Sequence, residues 1–186
     1  MHFYRTSALP DIIVAETDIH SDNRGRFFEL YRTDRYESNG IPASFVQENV
    51  SISGKNVLRG LHYQLGHPQG KLVTVVSGEI FDVAADLRKG SPTFGVWTGI
   101  TLSSETGHQL YIPEGFAHGF MVVSDEAVVH YKCTDYYSPL DERGILWSDP
   151  DLAIDWPGGT AIVSPRDAAF PALRDISGED LPDFIR

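Results

Sequence analysis

Cysteine and long hydrophobic runs are scarce in this sequence. Cys133 is the single cysteine among 186 residues, so an intrachain disulfide is excluded and a reducing compartment is favoured. The N-terminal stretch has only the short apolar run at residues 12–15, too short for the core of a signal peptide. No later run approaches the length of a membrane span. We therefore expect a cytoplasmic protein without a membrane partner.

Positive charge is also scarce. Fifteen Lys and Arg residues stand against 26 Asp and Glu residues, which gives a formal net charge of -11. Nucleic acids and anionic membranes need a basic footprint, so neither is an expected partner. A small anionic ligand remains compatible, because Arg24, Arg26, Arg59 and Lys71 are local cations able to hold a phosphate.

Turn-forming residues, by contrast, are plentiful and dispersed. Seventeen glycines and eleven prolines separate short β-rich segments such as "IIVAE", "SFVQENVSI", "KLVTVV" and "EIFDVAADL". This pattern is typical of a sandwich or barrel. Helical signals are limited to residues 32–40, ended by Gly40, and residues 165–176, interrupted by Pro171. The length suits one domain, so we predict a single all-β domain over residues 1–186 with a few short helices.

The stretch "NVLRGLHYQLGHPQGKLV", residues 56–73, places charged and titratable side chains within predicted strands. Arg59 and His62 are separated by an odd number of residues, so a regular strand sends them to opposite faces. Gly60 between them can host a bulge that re-aims one of the two. The sequence leaves both arrangements open.

A hairpin is predicted over "KLVTVVSGEIFDVAADL", with Ser77 and Gly78 in the turn. In that register Lys71 and Asp82 are diagonal neighbours on one sheet face. Such a pair is either solvated at the surface or part of a lined cavity.

The segment "YIPEGFAHGF" has the form P-x-G-x-x-H, with Pro113, Gly115 and His118. It resembles the second half of a cupin signature, which implies a jelly-roll barrel. Most such barrels bind a metal through an H-x-H pair, but here the pair would join His62 to Gln64. His67 could replace the missing histidine ligand only from a loop. We therefore predict a cupin-like jelly roll without a metal.

A longer series of motifs extends this resemblance over nearly the whole chain. "RGLHYQ", "GEIFDVAADLR", "IPEGFAHGF", "YKCTDYYSP" and "GILWSDP" occur in order, and the sequence resembles the dTDP-4-dehydrorhamnose 3,5-epimerase family. The resemblance implies inversion at C3 and C5 of a dTDP-linked 4-keto-6-deoxyhexose. Both carbons lie next to the C4 carbonyl, so the reaction needs a base, an acid and a donor to the keto oxygen, but no cofactor.

The resemblance also implies roles for individual residues. His62 is the expected base with Asp82 as its carboxylate partner, Lys71 the cation beside the enolate, and Tyr131 the proton donor. The expected substrate-binding residues are Arg24, Phe27, Glu29, Gln47, Glu48, Asn49, Arg59, His118, Tyr137, Glu142, Arg166 and Asp167. Part of the N-terminal strand is expected to come from the neighbouring subunit of a homodimer. Arg166 departs from the family, which often has lysine there.

Three alternatives remain at this stage. A monofunctional 3- or 5-epimerase would use the same His and Tyr pattern. A non-catalytic sugar-binding barrel would not need a base, a carboxylate partner and a donor together. A metal-dependent cupin enzyme is disfavoured by Gln64.

Overall fold

The computed structural model describes residues 1–184, and most of its regular structure is β-strand. The strands are β1 (His2–Arg5), β2 (Ile13–Glu16), β3 (His20–Asp22), β4 (Gly25–Phe27), β5 (Gln47–Gly54), β6 (Val57–Gln64), β7 (Lys71–Ser77), β8 (Glu79–Asp86), β9 (Trp97–Ser103), β10 (His108–Ile112), β11 (Phe116–Val122), β12 (Glu126–Cys133), β13 (Glu142–Gly144) and β14 (Ile162–Val163). The helices are α1 (Thr33–Glu37), α2 (Pro165–Ala168) and two 3₁₀ turns, Leu173–Asp175 and Gly178–Asp180.

Two largely antiparallel sheets pack against each other. The first has the strand order β1-β2-β10-β7-β12-β5, and the second has the order β13-β6-β11-β8-β9, with β14 pairing in parallel with β6. Val73 and Val129 from the first sheet meet Ile80 and Phe120 from the second in one buried cluster. The predicted all-β, cupin-like jelly roll with short helices is therefore confirmed.

Additional layers cover part of the outer faces. On the first sheet, Tyr36 of α1 and Ile41 pack over Ile13 and Leu72. On the second, the segments that follow β13 bring Leu152 and further apolar residues over Val83. The second layer also includes residues after position 172, so it holds the C-terminal segment against the second sheet.

Both predicted helical regions contain short helices. Helix α1 ends before Gly40, whose φ of 86° suits glycine at a helix terminus. Helix α2 begins after Ser164, whose hydroxyl accepts a hydrogen bond from the backbone N–H of Asp167, with Pro165 at the first helical position. Pro171 separates α2 from the following 3₁₀ turn, as predicted.

The predicted hairpin between β7 and β8 is wrong. Strand β7 pairs with β10 and β12 in the first sheet, while β8 pairs with β11 and β9 in the second. Gly78 forms a corner between the sheets with a φ of 81°, and a Cβ there would stand 2.1 Å from the carbonyl oxygen of Glu126. Lys71 and Asp82 therefore belong to opposite sheets.

Gly60 lies in an irregularity of β6, as the sequence suggested. His118 of β11 pairs with His62, and Phe120 pairs with Arg59. Between these two pairs, β6 contains one more residue than β11. The extra residue is a bulge, and it cancels the alternation that would otherwise separate Arg59 from His62. Both side chains line the same cavity.

Within the described residues, no helix has the length and apolar character needed to span a bilayer. The prediction of one domain over residues 1–186 includes two residues outside the described range, and it stays a prediction.

We expect Gly60→Ala to lower the free energy of unfolding by about 3 kcal/mol, because the added methyl overpacks the site and the backbone conformation disfavours L-residues. A Cβ at Gly60 would lie 2.6 Å from both Gly119 Cα and the carbonyl oxygen of His118, at a φ of 114°. Gly90→Ala is the matched control, since Gly90 also has a positive φ but meets no atom within 4 Å. Its expected cost is about 1 kcal/mol, from the backbone conformation alone. Urea denaturation measures both, and equal losses would contradict a steric role for Gly60.

Candidate active site

A cavity of about 960 Å³ opens between the two sheets at the end where β13, β14 and α2 border β6. The predicted site residues that line it are Gln47, Asn49, Arg59, His62, Lys71, His118, Tyr131, Tyr137, Glu142, Arg166 and Asp167. Residues from distant parts of the chain thus meet in one space, which has the dimensions of a small-molecule site.

The partner of His62 is Asp167, not Asp82. His62 Nε2 lies 3.0 Å from Asp167 Oδ1, and the backbone N–H of Gly60 donates to Asp167 Oδ2 at 3.1 Å. Burial alone would raise the pKa of the Asp167 carboxyl, but the hydrogen bonds and charge of His62, with the Gly60 N–H, hold that pKa well below its usual range. Asp167 is therefore ionised and accepts the Nε2 proton of His62.

Asp82 instead forms a second, deeper pair with His118. Asp82 Oδ1 and Oδ2 lie 3.0 and 3.1 Å from His118 Nε2, and the Asp82 side chain is fully buried. Strands β8 and β11 are neighbours, with Asp82 directly opposite Phe120, so Asp82 and His118 are diagonal on one sheet face. The predicted His62–Asp82 pair is wrong because the carboxylate that reaches His62 comes from α2, more than 100 residues further along the chain.

Lys71 is buried in the cavity, so the solvated-pair alternative is excluded. Its position on β7 is opposite Cys133 of β12, which places the two side chains on the same face. Burial lowers the pKa of the Lys71 ammonium, while Cys133, Glu142 and Asp82 oppose that shift. Desolvation thus dominates, as expected for a lysine in a largely enclosed site.

Tyr131 projects into the cavity from β12, on the sheet opposite His62. Burial raises the pKa of its phenol above the ordinary value, Cys133 and Glu142 raise it further, and the cationic Arg59 acts in the other direction. A phenol with a raised pKa stays protonated at neutral pH. The cavity therefore has an imidazole on one wall and a neutral phenol on the other.

A chain of polar contacts crosses the mouth of the cavity. Tyr137 Oη donates to Glu142 Oε2 at 2.9 Å, and Arg166 Nη1 donates to the same oxygen at 2.7 Å. Arg166 Nε also lies 3.3 Å from Asp167 Oδ1. Arg166 thus links the mouth to the carboxylate that holds His62.

Four predicted binding residues lie away from the cavity of their own chain. Arg24 pairs with Asp22 inside the β3–β4 hairpin, and Phe27 in the same hairpin is 73% exposed. Glu29 pairs with Arg35 at 2.9 Å. Glu48 points to the outer face of the first sheet, because its neighbours Gln47 and Asn49 point inward.

Glu48 has its own partners on that outer face. Its carboxylate contacts the side chains of His130 and Lys132. Glu48 therefore does not reach the cavity of its own chain, and its predicted substrate contact stays a prediction.

Ser51 and Gln69 also line the cavity, and the sequence analysis missed them. The Ser51 Oγ is buried and has no hydrogen-bond partner within residues 1–184. The signal that could have found Ser51 is the alternation of "QENVSISG", in which every second residue from Gln47 is polar and uncharged.

Gln64, at the position where metal-binding cupins have a ligand, is engaged by loops. Its amide nitrogen donates to the carbonyl oxygens of His67 and Tyr136, and its amide oxygen accepts from the N–H of Ser138. In residues 1–184, no group of three or more His, Cys, Asp or Glu side chains is placed to share a metal ion.

Comparison with known proteins shows the family to which the chain belongs. The family model described as dTDP-4-dehydrorhamnose 3,5-epimerase matches residues 6–175. The chain belongs to the dTDP-4-dehydrorhamnose 3,5-epimerase family. This family member is 52% identical over 170 residues to the dTDP-4-dehydrorhamnose 3,5-epimerase of Pseudomonas aeruginosa, covering 90% of this chain and 94% of the relative.

Two further relatives are a longer protein and a solved structure of nearly the same length as this chain. The epimerase of that name from Neisseria gonorrhoeae is 54% identical over 164 residues, which cover 88% of this chain and only 50% of that protein, so the chain spans about half of its length. A crystal structure of dTDP-6-deoxy-D-glucose-3,5-epimerase from Legionella pneumophila, in complex with dTDP-4-keto-L-rhamnose, superposes on this epimerase-family chain with a TM-score of 0.96. The two are 50% identical, and the match covers 100% of this chain and 99% of that one.

We expect Asp167→Asn to reduce stability by about 2 kcal/mol near pH 7, because it weakens hydrogen bonds to a charged group. The pKa of Asp167 is lowered by folding, so its stabilisation is present above the unfolded-state pKa and is lost as the pH falls. The difference between wild type and variant should therefore shrink progressively below about pH 5. Denaturant titrations from pH 7 to pH 3 measure this.

The control is Asp151→Asn, since Asp151 forms an exposed ion pair with Arg174. Exposed pairs contribute little, so this variant should differ much less from wild type at pH 7. A pH-independent loss in Asp167→Asn would contradict the ionised pairing with His62.

Proposed function

We propose that this chain inverts C3 and C5 of dTDP-4-keto-6-deoxy-D-glucose to give dTDP-4-keto-L-rhamnose. The observation that supports the proposal is that an imidazole, His62, and a phenol, Tyr131, line opposite walls of one cavity, where they can act as base and acid. Inversion requires a proton to leave one face of a carbon and another to arrive on the opposite face. Family membership supports the same conclusion.

The first step is removal of a proton next to the C4 carbonyl. The ionised Asp167 carboxylate can only accept a hydrogen bond, so it selects the His62 tautomer that carries its proton on Nε2. The Nδ1 lone pair is then available as the base. Asp167 also stabilises the imidazolium that forms, as a carboxylate partner does in other His-dependent enzymes.

The enolate that results needs a donor at its oxygen. Lys71 and His118 both line the cavity, and burial strengthens any hydrogen bond they donate. His118 is oriented by Asp82, so its ring is positioned before a ligand arrives. The C4 ketone makes the protons on the neighbouring carbons acidic. No step of the proposed reaction uses a metal or a nicotinamide.

The second step is delivery of a proton from the opposite face by Tyr131. The raised pKa of the phenol supports this role, because the group stays protonated at neutral pH and so has a proton to donate to the carbanion. After inversion at one carbon, exchange with solvent returns His62 to its neutral form and Tyr131 to the phenol, and the same pair can then act on the other carbon, since C3 and C5 flank the same carbonyl.

Incubation with dTDP-4-keto-6-deoxy-D-glucose in D₂O should place deuterium at both C3 and C5, which NMR and mass spectrometry detect. Tyr131→Phe should still exchange a proton at one of these carbons through His62 while forming far less inverted product. His62→Ala should lower turnover by about 10² to 10⁴-fold and lose exchange as well.

Label at one carbon alone would instead support a monofunctional 3- or 5-epimerase. No label with wild-type protein would contradict any epimerase and favour a sugar-binding barrel. Equal loss of exchange and inversion in Tyr131→Phe would contradict the division of roles between the two walls.

We also propose a homodimer in which the β3–β4 hairpin of one subunit reaches the cavity of the other. Phe27 in this hairpin is 73% exposed, although large apolar side chains usually find cover. The outer face of the first sheet also exposes Val50, Ile52 and Val76. A second copy would cover these groups and bring Arg24 to a substrate. A cytoplasmic location fits the sequence and belongs to the same proposal.

Mixing His62→Ala and Arg24→Ala chains tests this arrangement. Each variant should be nearly inactive alone, and random hybrids should recover about a quarter of wild-type activity, because half of the dimers then hold one intact site. A mixture of His62→Ala with Lys71→Ala is the control, since both residues line the cavity of their own chain and no intact site can form. Absence of recovery in the first mixture would contradict a shared site.

A further inference from the structure

Three cations line the cavity, and they differ in what surrounds them. Lys71 is buried, and the pKa of its ammonium is lowered by desolvation. Arg166 is engaged with the carboxylates of Glu142 and Asp167. Within residues 1–184, neither Arg59 nor Lys71 has a carboxylate within 4.0 Å, but Arg59 is exposed whereas Lys71 is buried. Arg59 is therefore available for an anionic ligand.

Arg59 has a single protein partner in the described part of the chain, the hydroxyl of Ser53. Arg59 Nε donates to Ser53 Oγ at 3.0 Å, and Ser53 is buried, with 6% of its surface exposed. The two residues lie on β5 and β6, which belong to different sheets, so this hydrogen bond spans the edge of the sandwich. Within residues 1–184, the two terminal guanidinium nitrogens make no hydrogen bond to protein.

This geometry divides the guanidinium into two functional sides. The Nε side is held by Ser53, while the two terminal nitrogens remain free to form a paired contact with a phosphate, the arrangement for which arginine is suited. An arginine side chain without such an anchor has many rotamers and loses more entropy on binding. Holding Nε therefore orients the part of the side chain that meets the ligand.

We propose that Ser53 is a positioning residue for Arg59, and that it directs the terminal nitrogens of Arg59 toward the diphosphate of the nucleotide sugar. This inference rests on the proposed function, because it takes a dTDP-linked sugar as the ligand. Arg59 is exposed near the cavity opening while Lys71 is buried, which suits an anionic diphosphate at the entrance and a keto sugar at the floor.

Calorimetric binding of dTDP and of thymidine tests the role of Ser53. Ser53→Ala should weaken dTDP binding about tenfold, because a pre-oriented contact to a charged group is lost, and should leave thymidine binding unchanged. Ser53→Thr keeps the hydroxyl and should restore most of the dTDP affinity. Ser103→Ala is the control, since Ser103 is also a buried strand serine but its hydroxyl contacts Thr106 instead of Arg59.

A double-mutant cycle completes the test. Arg59→Ala should weaken dTDP binding more than Ser53→Ala does, and adding Ser53→Ala to Arg59→Ala should cause no further loss. Independent, multiplying losses would overturn the inference, as would unchanged dTDP affinity in Ser53→Ala. An equal loss for thymidine and dTDP would also overturn it, because that result indicates a general disturbance of the cavity. Wild-type protein that does not bind dTDP would contradict the proposed function itself.

Discussion

The hydrogen bond between His62 and Asp167 is the interaction on which the candidate site depends. It joins a strand of the second sheet to a four-residue helix near the end of the chain, and it selects the tautomer of the imidazole. The Asp167 carboxylate is held from three directions, by His62, by the Gly60 N–H and by Arg166. An imidazole oriented in this way needs little reorganisation when a ligand binds, which is an advantage for the proton transfer proposed for His62.

The bulge at Gly60 connects this interaction to the rest of the fold. The same irregularity presents the Gly60 N–H to Asp167 and turns Arg59 toward the cavity that His62 lines. One additional residue in a strand therefore has two effects: it supplies a hydrogen bond to Asp167 and it directs Arg59. This agrees with the frequent occurrence of bulges beside active sites. Backbone contact with Gly119 at this point also explains why the position requires glycine.

The division of the sandwich into two sheets separates the proposed acid from the proposed base. His62 and the His118–Asp82 pair come from the second sheet, while Tyr131 and Lys71 come from the first. A planar enolate held between the sheets would present one face to each wall, so the geometry of the fold matches the stereochemistry of inversion. Burial adds to this match, since it raises the pKa of Tyr131 and lowers that of Lys71.

Local pattern and ordered motifs were enough to predict much of this molecule from its sequence. Dispersed turn residues indicated an all-β fold, the motif series indicated the epimerase family, and Gly60 indicated a bulge, because each of these depends on neighbours along the chain. Two features could be determined only from the tertiary structure: which carboxylate pairs with His62, and which sheet contains β8. Asp167 reaches His62 only after the C-terminal segment packs on β6, and Gly78 turns the chain into the second sheet where a hairpin was expected. Carboxylates at positions 82 and 167 look alike in sequence, and only the packing of α2 against the bulged strand decides which of them pairs with His62.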